Sequence, residues 1–260
     1  MATTMQQVRA WQGPALWSYG FRPFFLSAGL WAIVTIALWV PWYLGQITLP
    51  SAFAPLDWHI HELLFGYVPA VIAGFLMTAV PNWTGRMPVV GYRLMSLYAL
   101  WLLGRLAMAF SIFLPAWLVG LAAVAFLAAL AATAAREIIA GQNYRNLRIV
   151  GLVTLLAVAQ VAFHVEAALR GQPLVSTRIG IAAVILLISV VGGRIIPSFT
   201  RNWLARRPLG AMPAEFSRFD VATLALSALS LLAWALLPVL PQGTAKPAGL
   251  LLGLAGGLHV

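Results

Sequence analysis

An all-α fold, a polytopic bundle of transmembrane helices, is what this sequence predicts, and three observations carry the prediction. Of the 260 residues, 62% are hydrophobic and only 8% are charged, whereas soluble domains carry about 25% charged residues. The apolar residues come in runs of the roughly 20 positions that a helix needs to cross a hydrocarbon core of about 30 Å. The charged residues gather in the short gaps between those runs. A chain so composed has too few polar side chains to cover a soluble core.

Seven runs qualify as spans: Phe24–Leu44, Ile60–Val80, Leu94–Leu114, Pro115–Ala135, Leu147–Leu169, Ile179–Ile196 and Val221–Leu240. The third and fourth are divided by length and by Pro115. An eighth begins at Ala248 and is cut short at Val260. That run ends without a charge or interfacial anchor, so the chain is expected to be incomplete at its C-terminus. Residues 1–23, with Arg9, Trp11, Trp17 and Arg22, read as an interfacial lead-in rather than a signal peptide. The whole chain, 1–260, reads as a single transmembrane domain.

Basic residues collect on the cytoplasmic side of a membrane protein. With the N-terminus inside, 12 of the 16 Lys and Arg residues fall in inner segments. Three (Arg170, Arg178 and Lys246) fall in outer loops, and Arg105 lies within the third span. The N-terminus is therefore expected to be cytoplasmic. The same distribution turns the net charge of +10 into a topological signal and argues against a nucleic-acid partner.

No cysteine occurs, which excludes disulfides, thiolate metal sites and a covalently attached haem. A metal would have to rest on His, Met, carboxylate or backbone groups. On this topology His59 and His61 open the second span at its outer end. His164 lies about 7.5 Å below the outer end of the fifth span, and His259 about 16 Å into the eighth. All four histidines thus fall in the outer half of the membrane or near its midplane. A histidine well inside a span is costly unless it works, so His164 and His259 are functional candidates.

His59 and His61 are two residues apart, about 200° around a helix, and cannot chelate one ion from a regular face. Were His59 still in the loop, with Asp57 capping the helix, both rings could converge. Glu62 would be either a partner orienting a ligating ring or a charge favoured at a helix N-terminus. Gln160 and His164, four apart, share a helix face. Mid-span Arg105 requires a carboxylate, an anionic ligand or a structural ion pair, with Glu62 and Glu166 closest to it in depth. Met77 and Met108 read as packing residues, with Met108 able to offer a soft sulfur to copper. Two segments, Val80-Pro81-Asn82-Trp83-Thr84 and Ile196-Pro197-Ser198-Phe199-Thr200, share one pattern. In both, Pro is expected to end the helix, with an aromatic and an Arg anchoring it at the headgroups. An internal duplication would account for the repeat.

Four further stretches resemble one family. Tyr19-Gly20-Phe21-Arg22-Pro23-Phe24-Phe25-Leu26, His59-Ile60-His61-Glu62-Leu63-Leu64-Phe65-Gly66, Ala73 to Arg86, and Gly193-Arg194-Ile195-Ile196-Pro197-Ser198-Phe199-Thr200 look like the NnrS family. The resemblance implies a multi-pass protein of the bacterial inner membrane that contains haem and copper and is associated with the nitric-oxide response and denitrification. It also implies further spans beyond residue 260. The expected cofactors are therefore non-covalent b-type haem and copper, with nitric oxide as a ligand. His164 is the first candidate to hold haem, His259 the second, and Arg105 a candidate propionate partner. His59, His61 and Glu62 are candidates for a more superficial metal. The alternative is a membrane transporter whose polar site lies among spans two, three and five.

Overall fold

A computed structural model describes residues 12–207, 212–213, 216–240 and 245–259. Arg9, Trp11 and Glu215 lie outside these, as does the side chain of Lys246. The described residues are all-α: helices joined by short turns, with no strand. The chain divides into two compact units, up to Pro173 and from Leu174.

Among its described residues the first unit has five long helices. They are α1 (Phe21–Tyr43), α2 (Pro55–Thr84), α3 (Tyr92–Ala109), α4 (Ala116–Ala140) and α5 (Leu147–Arg170). α1 packs on α2, α3 on α4, and α4 on both α2 and α5. The second unit is α6 (Leu174–Leu204), α7 (Arg218–Leu236) and α8 (Ala245–Gly257), with α7 packed on both of its neighbours.

Six helices among the described residues are long and apolar enough to cross a membrane: α1, α2, α4, α5, α6 and α7. α3, expected as the third of seven spans, is not one of the six. It has 18 residues and carries Arg93, Ser96 and Arg105 among its apolar side chains, which lowers its hydropathy as a span. The outer surfaces of the six are apolar, with Ile33, Trp117, Leu121, Ile188 and Leu229 all exposed. An apolar surface of that extent is at home only in lipid.

Neither repeated proline ends its helix. α2 runs past Pro81 to Thr84 and stops at Gly85, whose φ of +66° supplies a left-handed cap. α6 runs past Pro197 to Leu204. Pro removes one N–H and one hydrogen bond, a loss that a long membrane helix absorbs.

At the end of α2 near Gly85, a carboxylate of α4 ties that helix to the segment after α2. Arg86 Nε donates to Glu137 at 2.7 Å and Arg136 Nη2 at 3.0 Å, while Asn143 donates to the Trp83 carbonyl. At the opposite end the chain between α1 and α2 folds back over the bundle. Ser51 meets Ser111 at 3.1 Å, and Phe53 lies against Phe163 and His164. That return is what closes the polar interior described next.

A buried histidine–glutamate–arginine centre

Pro55 at the first position starts α2, and Asp57 lies inside its first turn rather than capping it. His59 and His61 are therefore both helical and point to different sides, so the converging arrangement is not formed. His59 stacks on Trp39 of α1, with ring centroids 3.8 Å apart and planes 13° from parallel. His61 is fully buried and faces α5.

From Glu62 to Tyr67 the helix widens into a π segment, in which Val68 N–H reaches back to the Leu63 carbonyl. Such bulges free a backbone carbonyl and re-aim side chains, and they concentrate at functional sites. Here the Gly66 carbonyl accepts from Trp101 Nε1 at 2.9 Å. Gly66 also leaves room for Arg105. A Cβ at that position would collide with the guanidinium and lie 3.1 Å from Glu62 Oε2.

Glu62 is the hub of the centre. Its Oε2 accepts from Arg105 Nη1 at 2.8 Å and from Trp31 Nε1 at 2.9 Å, and its Oε1 lies 3.0 Å from His61 Nδ1. A carboxylate only accepts, so Nδ1 of His61 carries the proton and its Nε2 is left as an acceptor. That Nε2 lies 3.2 Å from the Gln160 amide nitrogen, which donates to it. The His164 ring stands 5.1 Å from the His61 ring, inclined at 68°. Phe53, Phe65 and Phe163 pack around the two rings.

Burial is complete for His61, Glu62 and Gln160, and Arg105 is only 2% exposed. Charge in such a place is tolerable only when paired, as Glu62 and Arg105 are. Yet three polar atoms here have no partner: His164 Nε2, Gln160 Oε1 and Arg105 Nε. Unpaired buried donors and acceptors are rare, and each one asks for an explanation.

The sequence candidates therefore separate. His61, Glu62, Arg105 and His164 come together, joined by Gln160. His59 goes to Trp39. Glu166 pairs with Arg170 at 3.8 Å, and Glu62 takes Arg105. Met108 is buried in an apolar cluster with Trp42, Trp58, Val119 and Ala123. His61 is wholly buried in the bundle, against Phe65, Phe163 and His164, where the sequence suggested that water could reach it. In the second unit His259 Nε2 meets Ser227 Oγ at 2.9 Å. Among the described residues no three His, Asp or Glu side chains converge as a metal-holding group.

Beside this centre lies a cleft of about 440 Å³ between α4 and α5, with the His164 ring in its wall and Gly120 opposite. Trp31, Gly66 and Gly120 were missed from sequence. A tryptophan midway along an apolar run was the one signal available for Trp31.

No curated protein and no solved structure matches this chain. The model of one family, described as NnrS protein, matches residues 15–260. That match covers both units and every residue of the buried centre, and it shows that this membrane-helix protein belongs to the NnrS family.

Proposed function

We propose that this chain is a haem- and copper-binding protein of the bacterial inner membrane that acts in the nitric-oxide response, with its N-terminus in the cytoplasm. Membership of the family supports the cofactors and the response. The asymmetry of its arginines supports the orientation. The observation that supports a location is the facing pair His61 and His164, with a carboxylate behind one ring and an unpaired nitrogen on the other.

The two facing imidazoles are a partial donor set for copper. Two imidazoles on one ion, with metal–nitrogen bonds of about 2 Å, stand with ring centres roughly 5–6 Å apart, and these stand 5.1 Å apart. His61 and His164 would hold the ion, His61 Nε2 exchanging its hydrogen bond from the Gln160 amide for the metal, with Gln160 Oε1 an unpaired acceptor beside them. Copper bound by imidazoles supplies a redox-active site able to ligate nitric oxide. Glu62 would fix the tautomer and direction of His61, as carboxylates do behind metal-bound histidines. Arg105 and Trp31 hold Glu62 in place, and the phenylalanines exclude water.

The two rings are too close to flank a porphyrin, so haem at this centre would take His164 alone, lying in the α4–α5 cleft. The cleft, at about 440 Å³, is within the roughly 300–1,000 Å³ of ligand pockets. The two arrangements compete for His164. Arg105 is paired with Glu62 and is not among the residues that line this cleft.

The test is an optical spectrum with metal analysis of the purified protein in lipid. A haem band that shifts under nitric oxide, with copper present, is the expected result. Neither cofactor in protein from haem- and copper-replete cells would favour the transporter reading, for which the same buried centre would be a translocation site.

A further inference from the structure

Arginines and carboxylates balance through most of the first unit, but not at the end where α2 and α4 finish. Elsewhere Arg105 is matched by Glu62 and Arg170 by Glu166. Short turns join the helices, so that end also carries the starts of α1, α3 and α5, and there Gly91 N–H donates to the Trp17 carbonyl. Arg22, Arg86, Arg93, Arg136, Arg145 and Arg148 share it with a single described carboxylate, Glu137.

Glu137 holds two of these arginines. Arg86 donates to its Oε2 through Nε alone, and Arg136 to its Oε1 through Nε and Nη2. Both terminal nitrogens of Arg86 therefore keep their N–H groups for another acceptor. The carboxylate lies behind, 9% exposed, while the two arginines in front of it are 42% and 61% exposed. An approaching ion meets the guanidinium groups first and the charge that pairs them last. A charge bias that served only to orient the chain would need no buried carboxylate fixing the side chains. Fixed in this way, they lose little freedom when a ligand arrives.

We infer that Arg86 and Arg136, set on Glu137, form a binding site for the phosphate of an anionic phospholipid headgroup. The open fork of a guanidinium matches two phosphate oxygens. Two positive charges against one negative leave a surplus that an anion neutralises, whereas a zwitterionic headgroup would bring in a further cation. The surroundings select a lipid over a soluble phosphate. Met87 next to Arg86, Ile139 one turn on from Arg136, and Tyr144 in the turn that follows are all exposed. α2 and α4, long and apolar enough to cross a membrane, both end here. A lipid offers glycerol and acyl carbon to those apolar side chains, and free phosphate offers them nothing. That this is the cytoplasmic leaflet rests on the proposed orientation, whereas the site does not.

The experiment is native mass spectrometry of the full chain, stripped of lipid in detergent and titrated with phosphatidylglycerol or with phosphatidylcholine of the same acyl chains. Phosphatidylglycerol should bind several-fold more tightly, and inorganic phosphate in large excess should not displace it. The test variant combines Arg86→Gln, Arg136→Gln and Glu137→Gln, removing two positive charges and one negative and leaving no unpaired buried charge. Its control, Arg93→Gln, makes the same change in net charge at the same end. The triple variant should bind phosphatidylglycerol more weakly by roughly five-fold or more, the worth of one arginine near an anionic lipid surface, with Arg93→Gln close to the parent. Arg86→Lys, which keeps the charge and loses the fork, should also weaken binding, and it decides the matter if the triple variant does not fold. Equal binding of the two lipids would overturn the inference, as would Arg86→Lys indistinguishable from the parent. Equal losses in the triple variant and Arg93→Gln would overturn it too, by showing surface charge alone at work. Displacement by inorganic phosphate would assign the arginines to a soluble anion and contradict the lipid site. Haem and copper content does not enter this readout, so either reading can fail and leave the other standing.

Discussion

Arg105 Nη1 donates to Glu62 Oε2 at 2.8 Å across the interior of the first unit, and both side chains are essentially inaccessible. Removing one member leaves the other charged and alone, which costs about 3–5 kcal/mol. Glu62→Leu and Arg105→Met should each be strongly destabilising, and the double variant should recover much of the loss. Unfolding in mixed micelles, analysed as a double-mutant cycle, reads the coupling. Additive losses would mean that the pair is not formed.

Gly66 offers an independent check on the same contact. Gly66→Ala places a methyl group where the guanidinium lies, whereas Gly151→Ala on α5 meets nothing within 4 Å. The first should approach Arg105→Met in its effect. The second should be neutral or slightly stabilising, since alanine favours helix by about 1 kcal/mol over glycine. Equal melting temperatures for the two variants would remove Gly66 from the centre.

His59 and His61 are expected to behave differently despite lying two residues apart. His59→Ala loses a stacked contact with Trp39, worth about 0.5–1.5 kcal/mol beyond its burial. It should leave the environment of His61 and the metal content intact. Histidine NMR signals in the two single variants report this directly, and a His59→Ala variant that disturbs His61 as much as Glu62→Gln does would contradict the assignment.

The absence of cysteine makes orientation easy to measure. Gln46, Gln142 and Gln172 are all exposed at helix ends. With single cysteines placed there, an impermeant maleimide added to intact cells should label positions 46 and 172 and spare 142. The reverse pattern would invert the proposed topology.

The helices were legible because hydropathy and proline or glycine punctuation act locally. The expected span Leu147–Leu169 became α5, Leu147–Arg170, and Pro115 does separate α3 from α4. Depth along the spans was enough to name Glu62 among the partners of Arg105, and a polar site among spans two, three and five. Periodicity alone could place His59 and His61 on opposite sides of a helix. It could not say which side would meet Trp39 and which Gln160, because that depends on how α1 and α5 pack. The π segment was equally hidden. Its cause is tertiary: Trp101 takes the freed Gly66 carbonyl, and Arg105 fills the space that the missing Cβ leaves. Burial of His61 was misjudged for a related reason, since its cover comes from α5 through Gln160, Phe163 and His164, whose packing hydropathy does not report.

The central claim is that His61 and His164 form one metal-binding pair and His59 takes no part. Copper content per chain, measured on purified parent, His59→Ala, His61→Ala and His164→Ala proteins of equal expression and retained fold, tests it most directly. The account predicts copper in the parent and in His59→Ala, and its loss in both His61→Ala and His164→Ala. Full copper in His61→Ala and His164→Ala alike would contradict it.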